Sequence, residues 1–212
     1  MTRHPEPGTT KTRLAARIGP EAACRLYRAF VLDLAERLDA TPHPVTWVFT
    51  PPGAPFAALL PGRPCRPQVP GDLGAKLDAA IRSALQGGAE AVLVIGADAP
   101  HLPLGAVRAG AEALLADDVD LVLGPADDGG YYLIGVRAPV PGLLVGMPWS
   151  TAVVLDETLR RARDAGMRVR LLAPLSDVDT WDDALALRAL IGDDPGLART
   201  RAVLDDLATM AR

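Results

Sequence analysis

The stretch Ala91-Val92-Leu93-Val94-Ile95-Gly96, followed at once by Ala97-Asp98-Ala99-Pro100, constrains this chain more than any other. A short continuous apolar run is the pattern of a strand covered on both faces, which in a parallel sheet requires helices on each side. The run is therefore expected at the centre of a sheet. The flanking pattern alternates in the same sense. Pro20 suits a first helical position, and Leu26, Tyr27, Phe30, Val31, Leu34 and Leu38 follow at three- and four-residue spacing, an amphipathic helix. Val45 to Thr50 reads as a strand, and Asp72 to Leu85 as a helix with Leu73, Leu77, Ile81 and Leu85 in register. Helix 104–116, strand 120–124, strand 131–136, helix 151–165, strand 168–173 and helix 181–191 come next, with a helical segment from about Pro195. Strands alternating with helices predict a layered α/β fold with a largely parallel sheet.

Length and charge bound the rest. A chain of 212 residues fits one domain, residues 1–212, because a single core keeps growing to roughly 250 residues. Apolar residues at 49% and charged residues at 23% supply a core and exclude disorder as the default state. The net charge of −4, with no basic run, argues against nucleic acid or an anionic membrane as partner and leaves small molecules. No segment approaches the roughly 18 apolar residues of a membrane span, and the start has no apolar leader. Cys24 and Cys65, isolated in sequence, suit a reducing cytoplasm. Nothing in the sequence sets an oligomeric state.

Four segments carry residues suited to chemistry. Pro7-Gly8-Thr9-Thr10-Lys11-Thr12-Arg13-Leu14 combines a glycine, threonines and two cations, which suits a phosphate chain and equally suits a solvated basic loop. Asp98 follows the most apolar run, where ligands of open α/β sheets gather and where a carboxylate can hold a hard cation. The bland alternative is an aspartate that organises a turn before Pro100. Gly124-Pro125-Ala126-Asp127-Asp128-Gly129-Gly130-Tyr131-Tyr132 joins two strands through paired acids and glycines; Asp127 or Asp128 could accept a proton or a hydroxyl hydrogen bond, or the segment could be a tight turn. In Asp177-Val178-Asp179-Thr180-Trp181-Asp182-Asp183, Thr180 and Asp183 have capping-box spacing, which leaves Asp177 and Asp179 for a shared metal.

Taken in order, Pro7-Gly8 through Leu14, Asp72-Leu73-Gly74, Gly96 to Pro100, Asp128-Gly129-Gly130-Tyr131-Tyr132, Trp149-Ser150-Thr151 and Asp177-Val178-Asp179-Thr180 give the chain a resemblance to a known family over about residues 4–190. It resembles the radical-SAM/selenodomain-associated transferases, provisionally named glycosyltransferases of the GT-A, or nucleotide-diphospho-sugar transferase, superfamily. The resemblance implies a Rossmann-like three-layer sandwich, its sheet mostly parallel with one antiparallel strand. It implies a nucleotide partner, either a nucleoside triphosphate or a nucleotide sugar, and a small-molecule acceptor. Lys11 and Arg13 would hold phosphates, Asp98 with Asp177 or Asp179 would hold Mg²⁺ or Mn²⁺, and Asp128 would serve the acceptor. Gly8, Thr12, Asp72, Gly74, Gly129, Gly130, Tyr131, Trp149, Ser150 and Thr151 would line the substrates.

Sugar transferases of the superfamily show Asp-x-Asp at the position where this chain has Asp98-Ala99-Pro100. Asp-x-Pro is similar to the nucleotidyltransferase branch that activates phospholactate, molybdopterin or sugar acids. Lys11-Thr12-Arg13-Leu14 resembles the triphosphate signature of that branch, and Asp177-Val178-Asp179-Thr180 its metal segment. The resemblance thus leans to nucleotidyl transfer, with glycosyl transfer second and a degenerate nucleotide-binding protein third. Family members carry an apolar strand before the Pro-Gly loop, where this chain has Met1-Thr2-Arg3. A first strand missing or truncated by a late start codon is the expectation, since its absence would leave neighbouring backbone groups unpaired.

Overall fold

The structure is a computed structural model and describes residues 1–210. In chain order the elements are β1 (Thr2–Arg3), α1 (Thr12–Ile18), α2 (Pro20–Asp39), β2 (Trp47–Thr50), α3 (Phe56–Leu59), β3 (Cys65–Pro67), α4 (Leu73–Gln86) and β4 (Val92–Ile95). They continue with α5 (Leu104–Leu115), β5 (Leu121–Pro125), β6 (Tyr131–Val136), α6 (Val154–Asp164), β7 (Val169–Leu171), α7 (Trp181–Ile191), a 3-10 turn (Pro195–Leu197) and α8 (Ala198–Met210). This is the expected α/β class. Contacts divide the chain into two compact units, one of residues 1–67, 97–102 and those from Asp177 onward, the other of residues 68–96 and 103–176.

The first unit carries a parallel sheet in the order β1-β2-β3. Thr2 and Arg3 pair with Phe49 and Thr50, so the short segment before the Pro7-Gly8 loop is itself part of the sheet. The stripe read from sequence on α2 is the buried one: Leu26, Tyr27, Phe30, Val31, Leu34 and Leu38 are all inside. Phe56 of α3 stacks on Phe49 of β2 with centroids 5.0 Å apart. At the other side of α2, the carboxylate of Asp33, 1% exposed, accepts from the Thr200 amide at 2.7 Å and from Arg199 at 3.2 Å, which ties α2 to α8.

The second unit carries a mixed sheet in the order β4-β6-β5-β7. Here the expectation for the Ala91–Gly96 run needs correcting. It forms β4, but at the end of this four-stranded order and antiparallel to β6; of its residues only Val94 is buried. The enclosed strands are β5, whose Leu121, Val122 and Leu123 have no exposure, and β6 beside it, with only Pro125 and Tyr131 at their ends partly exposed. The reason lies at Gly135: a Cβ there would come 2.2 Å from Leu93 Cδ2. Its bare backbone lets the leucine of β4 lie across β6, and β6 inserts where a parallel neighbour was expected. β6 is the one antiparallel strand, and β5–β7 pair in parallel.

Three elements lack an expectation: α1, α3 and β3, each short and flanked by Gly or Pro. Among the described residues no helix is long and apolar enough to cross a membrane.

Asp33→Ala should lower stability by about 2 kcal/mol, because it strips a buried amide of its acceptor while Glu36 still holds Arg199. Urea midpoints of the two proteins check this, with an unchanged midpoint arguing that the α2–α8 tie is energetically silent.

Candidate functional site

The site grows out of the loop before α1. The Glu6 carbonyl accepts from the Thr9 amide at 3.2 Å, the Thr9 hydroxyl at 3.1 Å and the Thr10 hydroxyl at 3.3 Å. Both threonine hydroxyls are spent on folding the loop. Gly8 sits at φ 78°, where a side chain would be strained. Lys11 caps α1 in the left-handed region, φ 49° and ψ 50°, which for a lysine costs about 1 kcal/mol and indicates that something holds it there.

What holds it is a pair of carboxylates. Lys11 Nζ donates to Asp179 Oδ1 at 2.9 Å and pairs with Asp98 Oδ1. Its side chain is 4% exposed, against 49% and 47% for the two aspartates. Burial alone would lower the lysine pKa, but Asp98 and then Asp179 outweigh it and raise it above its ordinary value. Nζ also lies 5.7 Å from the centroid of the Tyr27 ring. The Tyr27 hydroxyl sits 3.0 Å from Thr2 Oγ1 and accepts from the Arg3 amide at 3.3 Å; burial, helped by Asp98, pushes its pKa up to about 12.

Both carboxylates are placed by their backbones. The loop carrying Asp98 is clamped by Arg37 of α2, which donates to the carbonyls of Pro100 and, at 2.9 Å, Leu102. The Asp98 carbonyl accepts from the Val178 amide at 3.2 Å, which brings the 177–180 segment alongside. That segment ends in the expected capping box: Asp183 accepts from the Thr180 amide at 2.7 Å and the Asp179 amide at 3.0 Å, while the Asp183 amide donates to Thr180 Oγ1 at 3.2 Å. Burial would raise the Asp183 pKa, but these hydrogen bonds hold it below the ordinary range. Asp179 is left to face Lys11.

Among the described residues no three His, Cys, Asp or Glu side chains gather into a metal cage. Asp98 and Asp179 are two carboxylates, half open to solvent, converging on one cation. Such a pair fits Mg²⁺ or Mn²⁺ held jointly with phosphate oxygens, the usual arrangement for a small hard cation, and does not fit an all-protein cage. Asp177, two residues before Asp179, is half-buried. Arg13 is exposed and makes no ion pair among the described residues, and Thr12 opens α1 on the surface.

The remaining residues singled out in sequence lie in the second unit, where several of them are engaged within the protein. Asp72 caps α4, accepting from the Ala75 amide at 2.8 Å. A Cβ on Gly74 would stand 2.2 Å from the Leu144 carbonyl oxygen, and one on Gly129, at φ 87°, 2.2 Å from that of Ala152. Asp128 accepts from the Gly130 amide at 2.8 Å, and Asp127 from the Ser176 hydroxyl. Tyr131 meets Trp149 edge to face at 6.3 Å, and Trp149 Nε1 is buried with no hydrogen-bond partner among the described residues. Ser150 follows at φ 63°, and the Thr151 hydroxyl donates to Pro148 at 2.6 Å. Sequence reasoning missed Tyr27 and Arg37 as parts of the site. Tyr27 was legible only as a member of an apolar stripe, and an arginine in a last helical turn ordinarily signals the helix dipole.

An α/β fold with a parallel sheet and one antiparallel strand, its loop carboxylates meeting a lysine before the first helices, has the architecture of the nucleotide-diphospho-sugar transferase superfamily. It matches a crystal structure from Desulfovibrio desulfuricans G20, provisionally named a nucleotide-diphospho-sugar transferase, at 32% identity over 98% of this chain and 93% of that one, with a TM-score of 0.92. The chain belongs to the family described as "Uncharacterized protein conserved in bacteria (DUF2064)", which matches residues 33–151. Rv0371c from Mycobacterium tuberculosis H37Rv shares the fold at 20% identity, covering 88% of this chain and 95% of that one, with a TM-score of 0.53. CMP:2-keto-3-deoxy-manno-octonic acid synthetase complexed with CTP does so at 14% identity, covering 78% and 88%, with a TM-score of 0.51. No functionally curated protein matches in sequence.

Two measurements probe this geometry. Asp183→Ala should cost about 1 kcal/mol through loss of the capping box, read from denaturant midpoints. Tyr27, whose pKa is raised from an ordinary 10.0 to about 12, contributes stability below pH 10 that is lost as the pH climbs towards 12. Tyr27→Phe should therefore flatten part of the alkaline loss of stability; an identical pH profile would mean that the hydroxyl ionises as freely folded as unfolded.

Proposed function

We propose that this protein is a metal-dependent transferase using an activated nucleotide as donor, with nucleotidyl transfer from a nucleoside triphosphate to a small phosphorylated or sugar-like acceptor as the leading reading. The observation that carries it is the lysine shared by Asp98 and Asp179, with Arg13 exposed two residues further along the chain. Two cations and two carboxylates on neighbouring loops are what a phosphate chain and its counter-ion need.

In this reading Asp98 and Asp179 hold Mg²⁺ or Mn²⁺, Asp177 being the alternative to Asp179. The metal supplies neutralisation of charge developing on phosphate oxygens. Lys11 and Arg13 bind and orient the phosphates, Arg13 from the surface and Lys11 once its ammonium leaves the carboxylates. Arg37 and the Thr180–Asp183 capping box keep the two acids facing one point. Thr12 and Gly8 belong to the same loop. Asp128, Gly129, Gly130, Tyr131, Trp149, Ser150 and Thr151, with Asp72 and Gly74, keep as a proposal the substrate role that the resemblance gives them, and the reaction is assigned to the cytoplasm.

The Asp98-Ala99-Pro100 sequence favours nucleotidyl transfer, and a fold shared with a CTP-bound synthetase supports it. Glycosyl transfer from a nucleotide sugar is the second reading, favoured by the name of the 32%-identical relative.

A thermal-shift screen of nucleoside triphosphates and nucleotide sugars, with Mg²⁺, Mn²⁺ or chelator, tests the proposal. A true donor should stabilise the protein only with metal, by about 2.7 kcal/mol at a hundred times its Kd. Arg13→Ala should weaken that donor by about tenfold to a hundredfold without affecting folding. Pyrophosphate release on adding acceptor would mark nucleotidyl transfer, and nucleoside diphosphate release glycosyl transfer. No stabilisation by any nucleotide in the presence of metal would overturn both readings.

A further inference from the structure

We infer that Lys11 guards the carboxylate pair: its ammonium occupies Asp98 and Asp179 until a phosphate chain draws it off, so that a divalent cation enters tightly only together with a nucleotide. This rests on the proposed function and sets its order of binding.

The geometry shows why the two cations compete. One nitrogen contacts an oxygen of each carboxylate, so the position between the acids is already filled by positive charge. A dication arriving alone meets the ammonium at contact distance and must expel it from a site where it is 4% exposed, without bringing it a new anionic partner. A phosphate chain supplies that partner. With the dication on the two aspartates and the ammonium on phosphate, every charge is paired.

The residue type fits an exchange. Only two of the chain's 22 basic residues are lysines, Lys11 and Lys76, the rest being arginines. A guanidinium would fork rigidly onto a carboxylate, whereas an ammonium on a four-carbon stem has rotatable donors and can change partners. The surface tells the same story: the carboxylates are half open while the ammonium they hold is closed, so the site shows a phosphate its acids and hides its lysine. Metal at that face removes the repulsion, and phosphate removes the lysine. Each ligand clears the obstacle to the other, which is a reciprocal coupling.

With only two lysines, protein labelled with ¹³C at the lysine ε-carbon gives two resonances. Mg²⁺ alone should leave the Lys11 resonance in place, and Mg²⁺ with a nucleoside triphosphate should move it while Lys76 stays. In parallel, Mn²⁺ binding by electron paramagnetic resonance should be weak in the wild type without nucleotide. It should be at least tenfold tighter in Lys11→Met, with little further gain from nucleotide in the variant. A Lys11 resonance displaced by Mg²⁺ alone, or unmoved by Mg²⁺ plus a triphosphate that binds, overturns the inference while leaving the transferase reading intact. So does an equal Mn²⁺ affinity in the two proteins. Failure of the wild type to bind Mn²⁺ with or without any triphosphate overturns the inference and the transferase reading together. The resonance measurement uses the wild type, so the inference remains exposed even where Lys11→Met folds poorly.

Discussion

One ammonium shared by two carboxylates organises the first unit of this protein. Lys11, Asp98 and Asp179 come from three remote segments, and the contact of Lys11 with Asp179 alone spans 168 residues. A buried lysine is tolerated only if its charge is matched, and two half-exposed acids match it at lower desolvation cost than a fully enclosed pair would. The surrounding structure serves that match. The left-handed backbone of Lys11 turns its side chain inward, Arg37 fixes the loop of Asp98, and the capping box releases Asp179 from helix duty by assigning that duty to Thr180 and Asp183.

The second unit is organised by close backbone approach. Gly74 against Leu144, Gly129 against Ala152 and Gly135 against Leu93 are places where a Cβ would stand 2.2 Å from another atom. These contacts fix the β5–β6 turn and the insertion of β6 as the antiparallel strand. Arg161 adds a clamp on the loop leading to Trp149, donating to the carbonyls of Gly142 at 3.1 Å, Leu143 at 3.3 Å and Gly146 at 3.4 Å, and also to that of Val145.

What could be read from sequence was whatever local periodicity or spacing encodes. The α2 stripe, the helix after Asp72 and the Thr180–Asp183 capping box fall in that class, because each depends on residues a turn or two apart. The placement of β4 did not, since an apolar run looks alike whether its neighbour is parallel or antiparallel, and Gly135 announces its role only once Leu93 lies across it. The site divides the same way. Asp98 was legible as the acid after the most apolar run and Asp179 as one left over after capping, yet nothing in the sequence shows that Lys11 is buried; its burial depends on partners more than 80 residues away. The folding of its loop onto the Glu6 carbonyl by the Thr9 and Thr10 hydroxyls has no local signature either.

In the proposed function the carboxylate pair is the seat of the metal and the lysine it holds is a movable cation. A crystal structure of the protein with Mn²⁺ and the nucleotide that stabilises it, with the anomalous signal of manganese recorded, tests this most directly. The account predicts an anomalous peak coordinated by Asp98 and Asp179 and bridging to phosphate oxygens, with Lys11 Nζ and Arg13 turned onto the phosphates. Manganese bound elsewhere, with Lys11 still spanning Asp98 and Asp179 while the nucleotide is in place, would contradict it.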